Sequence, residues 1–325
     1  MQNFSIEAWI DAVSKNNIPQ VKTLLAQGID LNSKDTHGTA LHYAANYDYQ
    51  ELVELLIASG ADIHAKNKQN WTPLHTASQY GSLKSAHILI AHGADVHAKD
   101  LDNYSPLHYA AAENFGNIAE LLIMSGAVVD ARTEYNWTAL HLAIQNGLEK
   151  IVALLIASGA QVNDVIDKQT PLQKASLYGY EKIVQLLLEH GADVNAKNDD
   201  GWTVLMLACL SGHKKVVELL IAFAADVNAK SIDNWTALHV VSQNGHGAVA
   251  ELLIAGAADV NIVSGAGTAL HLAAFEGYKE IVALLLSHGA DITLLDRDNK
   301  TAAMIAQEEG HTEILKLLNQ YVKND

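Results

Sequence analysis

The chain has 325 residues, 18% of them charged, a formal net charge of −16 and a single cysteine, Cys209. That balance leaves no basic stripe to displace counterions from a phosphate backbone, so nucleic acid is not an expected partner, and one thiol cannot form an intramolecular disulfide. No run approaches the length of apolar sequence that spans a bilayer, and the opening MQNFSIEAWID lacks the basic and apolar regions of a secretory leader, so the expected setting is the cytoplasm without membrane contact.

From the N-terminus, residues 5–34 read as two short helices. SIEAWIDAVSKNN carries Trp9, Ile10 and Val13 inward, IPQVKTLLAQG follows, and Glu7 stands where a capping hydroxyl is expected. Beyond them one pattern returns at Thr39, Thr72, Ser105, Thr138, Thr170, Thr203, Thr236, Thr268 and Thr301, in steps of 32 or 33 residues. Residues 70–99, NWTPLHTASQYGSLKSAHILIAHGADVHAK, show it most fully. Thr72 is placed to cap a helix, and Pro73 at its first position gives up no needed donor and presets φ. Leu74 and Ala77 face inward, Gly81 ends this helix, Leu83, Ala86, Leu89 and Ile90 carry a returning helix, and Gly93 ends that one. ADVHAK then reads as a short extended stretch, leading into a hairpin whose tip is exemplified by Lys68-Gln69-Asn70. Asn suits such a tip because it tolerates positive φ. Of the N-x-S/T sequons at Asn3, Asn70, Asn103, Asn136, Asn234 and Asn299, all but the first therefore read as by-products of tip plus cap.

The departures from the pattern carry their own expectations. Asn16, Asp48 and Asn114 replace the Gly after the first helix, and these residue types best tolerate a left-handed conformation. Ala224 and Ala257 replace the Gly after the second helix, which predicts strain of about 1 kcal/mol at each unless Gly256 takes over by a one-residue shift. Three fingers, before Thr39, Thr170 and Thr268, are one residue short.

A period of 33 with a T-P-L-H-x-A signature resembles the ankyrin repeat, and the resemblance covers nearly the whole chain. It implies an all-α repeat, an ankyrin-type solenoid of helix-turn-helix units with β-hairpin fingers, forming one domain over 1–325. Within it, 5–34 is an N-terminal cap unit, 35–298 eight full repeats and 299–325 a C-terminal cap unit, each burying its apolar face against its neighbours. The segments ending Asp193-Val194-Asn195, and at Asn228 and Asn261, are similar to the acceptor pattern of an asparaginyl hydroxylase.

Sixteen His residues raise the question of a metal. Six of them, His42, His75, His108, His141, His239 and His271, recur as the fourth residue of the TPLH-like motif, where a ring nitrogen can bond back to the capping hydroxyl or reach the neighbouring finger. Copies a repeat apart cannot share bonds of about 2 Å, so no metal and no other cofactor is expected. Gln173 in the same place points to a structural role. Residues 264–268, SGAGT, lack the GK[ST] ending of a phosphate loop, and no nucleophile or metalloprotease signature occurs, so the chain is read as no enzyme.

The residue before the cap is aromatic in five units: Trp71, Tyr104, Trp137, Trp202 and Trp235. The resemblance places that position on the concave face that commonly holds a partner. Tyr43, Tyr47, Gln79, Tyr80, Tyr109, Gln145, Tyr178, Gln243 and Phe275 fall on the same side of the first helices, a face with little charge until Glu276, Glu308 and Glu309. Aromatic anchors and amides suit an extended peptide or a protein surface. The expected function is non-catalytic binding of a protein partner, basic or with an extended segment, by a monomeric adaptor, scaffold or inhibitor. A spacer without a pocket, with the stripe serving only to pack, and an effector of an intracellular bacterium are the competing readings.

Overall fold

The computed structural model describes residues 5–321. Asn3 of the first sequon and the end of the C-terminal cap, 322–325, lie outside the described residues. Among those described are twenty helices in ten consecutive pairs. They pack as two compact units, Met1–Gln161 and Val162–Asp325. Within each unit a first helix packs on its own second helix and on the first helices of its neighbours.

Each of the nine predicted Thr or Ser caps is an extended residue directly before a first helix. Pro73, Pro106 and Pro171 occupy the first helical position, where a missing N–H costs nothing. Leu74 and Ala77 are fully buried, as are Ala86 and Leu89 on the returning helix, whereas Leu83 and Ile90 are only half-buried and Ser82 and Ser85 take interior places. In the first pair the cap is Ser5 rather than Glu7: the helix Ile6–Ser14 begins earlier than the repeat alignment places it, with Trp9, Ile10 and Val13 buried.

The stops are those the residue types dictate. Gly81 sits at φ +79, and Asn16, Asp48 and Asn114 take its place at φ 53, 54 and 64. Ala224 and Ala257 are left-handed at φ 63 and 65. Gly256 stays right-handed at φ −80, so the shift that would spare Ala257 does not occur.

The fingers differ from extended hairpins. In ADVHAK the Asp95 carboxylate accepts the His97 amide at 2.9 Å and its carbonyl accepts the Ala98 amide at 3.2 Å, so the stretch is a turn. Strand pairing is reduced to isolated bridges: Lys34 with Thr39, Ile166 with Gln169, Lys197 with Thr203 and Ser264 with Gly267. Three of these four close the shortened fingers. At the tips, Asn70, Asn103, Asn136, Asn234 and Asn299 all have φ between 57 and 63, the backbone reason for the sequon-like spacing.

Among the described residues a further device joins neighbouring repeats, once in the first half, where Asn32 Oδ1 accepts the Asp62 amide at 2.9 Å, and without a gap in the second. Asn163, Asn195, Asn228 and Asn261 each accept, on Oδ1, the amide of the Asp about one repeat onward, at 2.7 to 2.9 Å. The Nδ2 groups of Asn163, Asn228 and Asn261 donate to the carbonyls of Gly191, Ala257 and Gly289 at 3.0 Å. The result is an asparagine ladder running along the outer turns.

Candidate functional site: an aromatic groove on the first unit

The groove begins with the capping hydroxyls. The Thr72 amide donates to Nδ1 of His75 at 3.1 Å and the Thr hydroxyl lies 2.9 Å from the same nitrogen. Because a backbone N–H points at Nδ1, that nitrogen carries no proton, and Nε2–H donates to the Tyr104 carbonyl at 3.1 Å. The same geometry ties His42 to the Trp71 carbonyl, His108 to those of Ala131 and Trp137, His239 to Gly267 and His271 to Lys300. His141 meets the Thr138 hydroxyl at 2.7 Å. Gln173 reproduces the pattern with Oε1 accepting the Thr170 amide at 2.9 Å and Nε2 donating to Ala196 and Trp202. Burial pushes His75, His108 and His239 down to about 4, against a partial upward pull from their carbonyl partners, and lowers His42 and His271. These rings are neutral struts. Among the described residues no group of three His, Cys, Asp or Glu could hold a metal, and Cys209 is fully buried with its thiol pushed up by that burial.

Struts fix the backbone carbonyls of Trp71, Tyr104, Trp137 and Trp202, so four of the five stripe residues are presented from a rigid frame, whereas Met206 offers Trp235 no such bond. The Trp71 amide is taken by Asn67 Oδ1 at 2.9 Å, its carbonyl by His42, and its indole N–H by Asp100 at 3.1 Å. Trp71 meets the Tyr109 ring edge-on at 4.8 Å between centroids, and Tyr104 lies 5.4 Å from the same ring. Trp235 packs 5.9 Å from His239. All five stripe residues, Trp137 and Trp202 included, are half-buried rather than free.

In the first unit Tyr43, Tyr47, Trp71 and Tyr80 come together around a groove of ≈ 570 Å³, with His37, His42, Asn46, Asn67, Gln69 and Thr76 completing its lining. Tyr47 and Tyr80 are 49% and 56% exposed and form its open rim. Behind the wall stand two carboxylates. Asp35 accepts the Tyr43 hydroxyl at 2.7 Å and the amides of His37 and Gly38. Asp100, itself buried, accepts the Trp71 indole, the Tyr109 hydroxyl and the amides of Asp102 and Tyr104. Burial raises the Asp35 carboxyl, but the phenol and the two amides outweigh it and hold it low. Burial and the bonds to these carboxylates raise the Tyr43 and Tyr109 phenols, so both remain O–H donors.

The remaining predicted residues are spread out. Gln79, next in sequence to the rim residue Tyr80, donates to Glu113 at 2.9 Å. Gln145 is exposed on the first unit, and Tyr178, Gln243 and Phe275 are exposed on first helices of the second. None of them lines the groove. His37, Asn67, Gln69 and Thr76 do, and the sequence reading passed over them, as it did Asp100. A finger residue 29 positions from Trp71 offers no local signal of their contact.

These observations define a tandem-repeat protein with a polar-aromatic surface groove. The family model described as "Ankyrin repeats (3 copies)" matches residues 9–100, 93–166, 161–231, 194–264, 223–296 and 257–325, and the chain belongs to the ankyrin repeat family. Such repeats are generally non-catalytic protein–protein interaction modules. Among its relatives, the "Potassium channel AKT2/3" of Arabidopsis thaliana is 40% identical over 65 residues, 19% of this chain and 8% of the channel. The "2-5A-dependent ribonuclease" of Mus musculus is 41% identical over 66 residues, 20% of this chain and 9% of that protein. The chain thus matches less than a tenth of the length of either. No helix among the described residues is long and apolar enough to cross a membrane.

Proposed function

We propose that this chain is a monomeric, non-catalytic adaptor, scaffold or inhibitor that holds an extended segment of a protein partner in the groove bounded by Tyr43, Tyr47, Trp71 and Tyr80. The carrying observation is the groove itself: ≈ 570 Å³ of space lined by rings and amides, within the range of specific ligand sites. The side chains of Asn46 and Gln69 in its lining make no hydrogen bond among the described residues, which leaves two amides to pair with a peptide backbone. The rest of the predicted face, including Trp137, Trp202, Trp235, Tyr178, Gln243 and Phe275, would then serve secondary contacts. The half-burial of all five stripe residues favours a second reading, a spacer whose aromatics only pack. Affinity capture with the native chain and with Tyr47→Ala, Tyr80→Ala and Phe275→Ala variants separates the two. A partner lost with both Tyr variants and kept with the Phe variant supports the groove. Indifference to both Tyr variants sinks it.

A further inference from the structure

The groove combines two features that a purely apolar peptide would not use. Its lining includes the rings of Tyr43, Tyr47, Trp71 and Tyr80, and the face of such a ring carries the negative part of its quadrupole. Two of those rings are hydrogen-bonded through their own polar hydrogens to carboxylates: Tyr43 to Asp35 and Trp71 to Asp100. Donation from O–H or N–H to an anion moves electron density into the ring and strengthens its attraction for a cation. Among the described residues neither carboxylate has a Lys or Arg partner; phenols, an indole and backbone amides are their only donors. Asp100 is buried, so its charge is poorly screened by water and is felt through the Trp71 ring. The chain as a whole carries −16, which steers cations inward at long range.

We propose that the groove recognises a cationic side chain, an arginine or lysine of the extended segment, held against Trp71 between the rims formed by Tyr47 and Tyr80. This rests on the reading of the groove as a peptide site and adds the chemistry that the site selects. Arginine fits best, because its guanidinium plane stacks on aromatic faces while its N–H groups remain free for the amides of Asn46 and Gln69. The Tyr43 phenol reinforces the choice: as a donor committed to Asp35, it offers a cation its ring and not a competing hydrogen.

The test uses the full chain and a displayed random dodecapeptide library, with selection at physiological ionic strength, where attraction beyond about 8 Å is screened. Peptides recovered on the native chain should share an arginine or lysine. In a synthetic copy, replacing that arginine by citrulline, its neutral isostere, should weaken binding about tenfold. On a Tyr80→Ala chain, whose folding circular dichroism would verify, the arginine and citrulline peptides should bind within about twofold of each other, and Tyr80→Phe should restore the difference. Equal binding of the two peptides to the native chain, or recovered peptides without a common cation, overturns the cation inference while leaving the peptide site in place, provided that Tyr47→Ala and Tyr80→Ala still weaken them. Discrimination that survives Tyr80→Ala assigns it to overall charge and overturns the cage. If no recovered peptide responds to either Tyr variant, both readings fall together.

Discussion

Acid should weaken this protein through its struts, and unevenly along the chain. His75 and His108 are neutral in the fold, with protonation displaced from the usual 6.5 to about 4, principally by burial. Between those values the unfolded chain binds a proton that the folded chain refuses, so stability falls as pH drops through that window. Above 6.5 the contribution is whole. Near 4 the folded ring also protonates and the slope flattens. At about 1.4 kcal/mol per pH unit, each such histidine removes about 3 kcal/mol across the window, against a typical total of about 5–15 kcal/mol. A proton on Nδ1 has nowhere to point, because the Thr72 or Ser105 amide already occupies that direction.

The asymmetry follows from the sequence of struts. The first unit carries His42, His75, His108 and His141, whereas in the second Gln173, Met206 and Met304 replace three of the five. Gln173 makes the same bonds without titrating, so a His75→Gln, His108→Gln double variant should fold and lose much of the acid sensitivity. Urea midpoints followed from neutral pH down to about pH 4.5 measure this, the native chain losing several kcal/mol more than the variant. Hydrogen exchange should show the helices Pro73–Tyr80 and Pro106–Ala112 opening early in acid. Parallel pH profiles for the native and double-variant chains would refute the reasoning, because exposed carboxylates common to both would then account for the whole slope.

Other outcomes can be read from single sites. Ala224→Gly should raise stability by about 1 kcal/mol in chemical denaturation, since the left-handed Ala at φ 63 pays a Cβ penalty that Gly avoids; an unchanged midpoint would mean that the turn is not strained. Asn228→Ala should cost about 1–2 kcal/mol because it unties the Asp259 amide and the Ala257 carbonyl together, and a neutral result would deny the ladder any energetic role. Trp202→Ala should lower thermal stability by roughly 2 kcal/mol, less than a fully buried Trp would cost. If that variant instead melts like the native chain while losing a partner, its ring serves the surface alone.

Much of the fold was legible because each repeat states its own rules locally. Thr72-Pro73 begins a helix, Gly81 ends it, and Asn70 turns the finger, all within a dozen residues. What escaped needed neighbours. Ser5 was missed as the first cap because the repeat step counted back from Thr39 falls on Glu7, while the helix Ile6–Ser14 begins before that position. The ladder escaped because nothing near Asn195 in sequence signals that its side-chain Oδ1 accepts the amide of Asp226 in the next repeat. ADVHAK turns rather than extends because the Asp95 carboxylate closes it on the His97 amide, a local bond that the reading of the stretch as extended did not include.

The stripe shows why packing and binding need not be alternatives. Trp71 is fixed by Asn67, His42 and Asp100, so its ring is already ordered before any partner arrives, and a ligand stacking on it has little entropy left to remove. Half-burial is the cost of that rigidity and also its source. Tyr80, by contrast, is 56% exposed, so it can close on a side chain lying over the indole. A rigid ring backed by a buried carboxylate and a more open ring at the rim divide the work between preorganisation and capture. On this account Trp71→Ala should damage stability and binding together, while Tyr80→Ala should damage binding alone, and it is the second of these that locates the site.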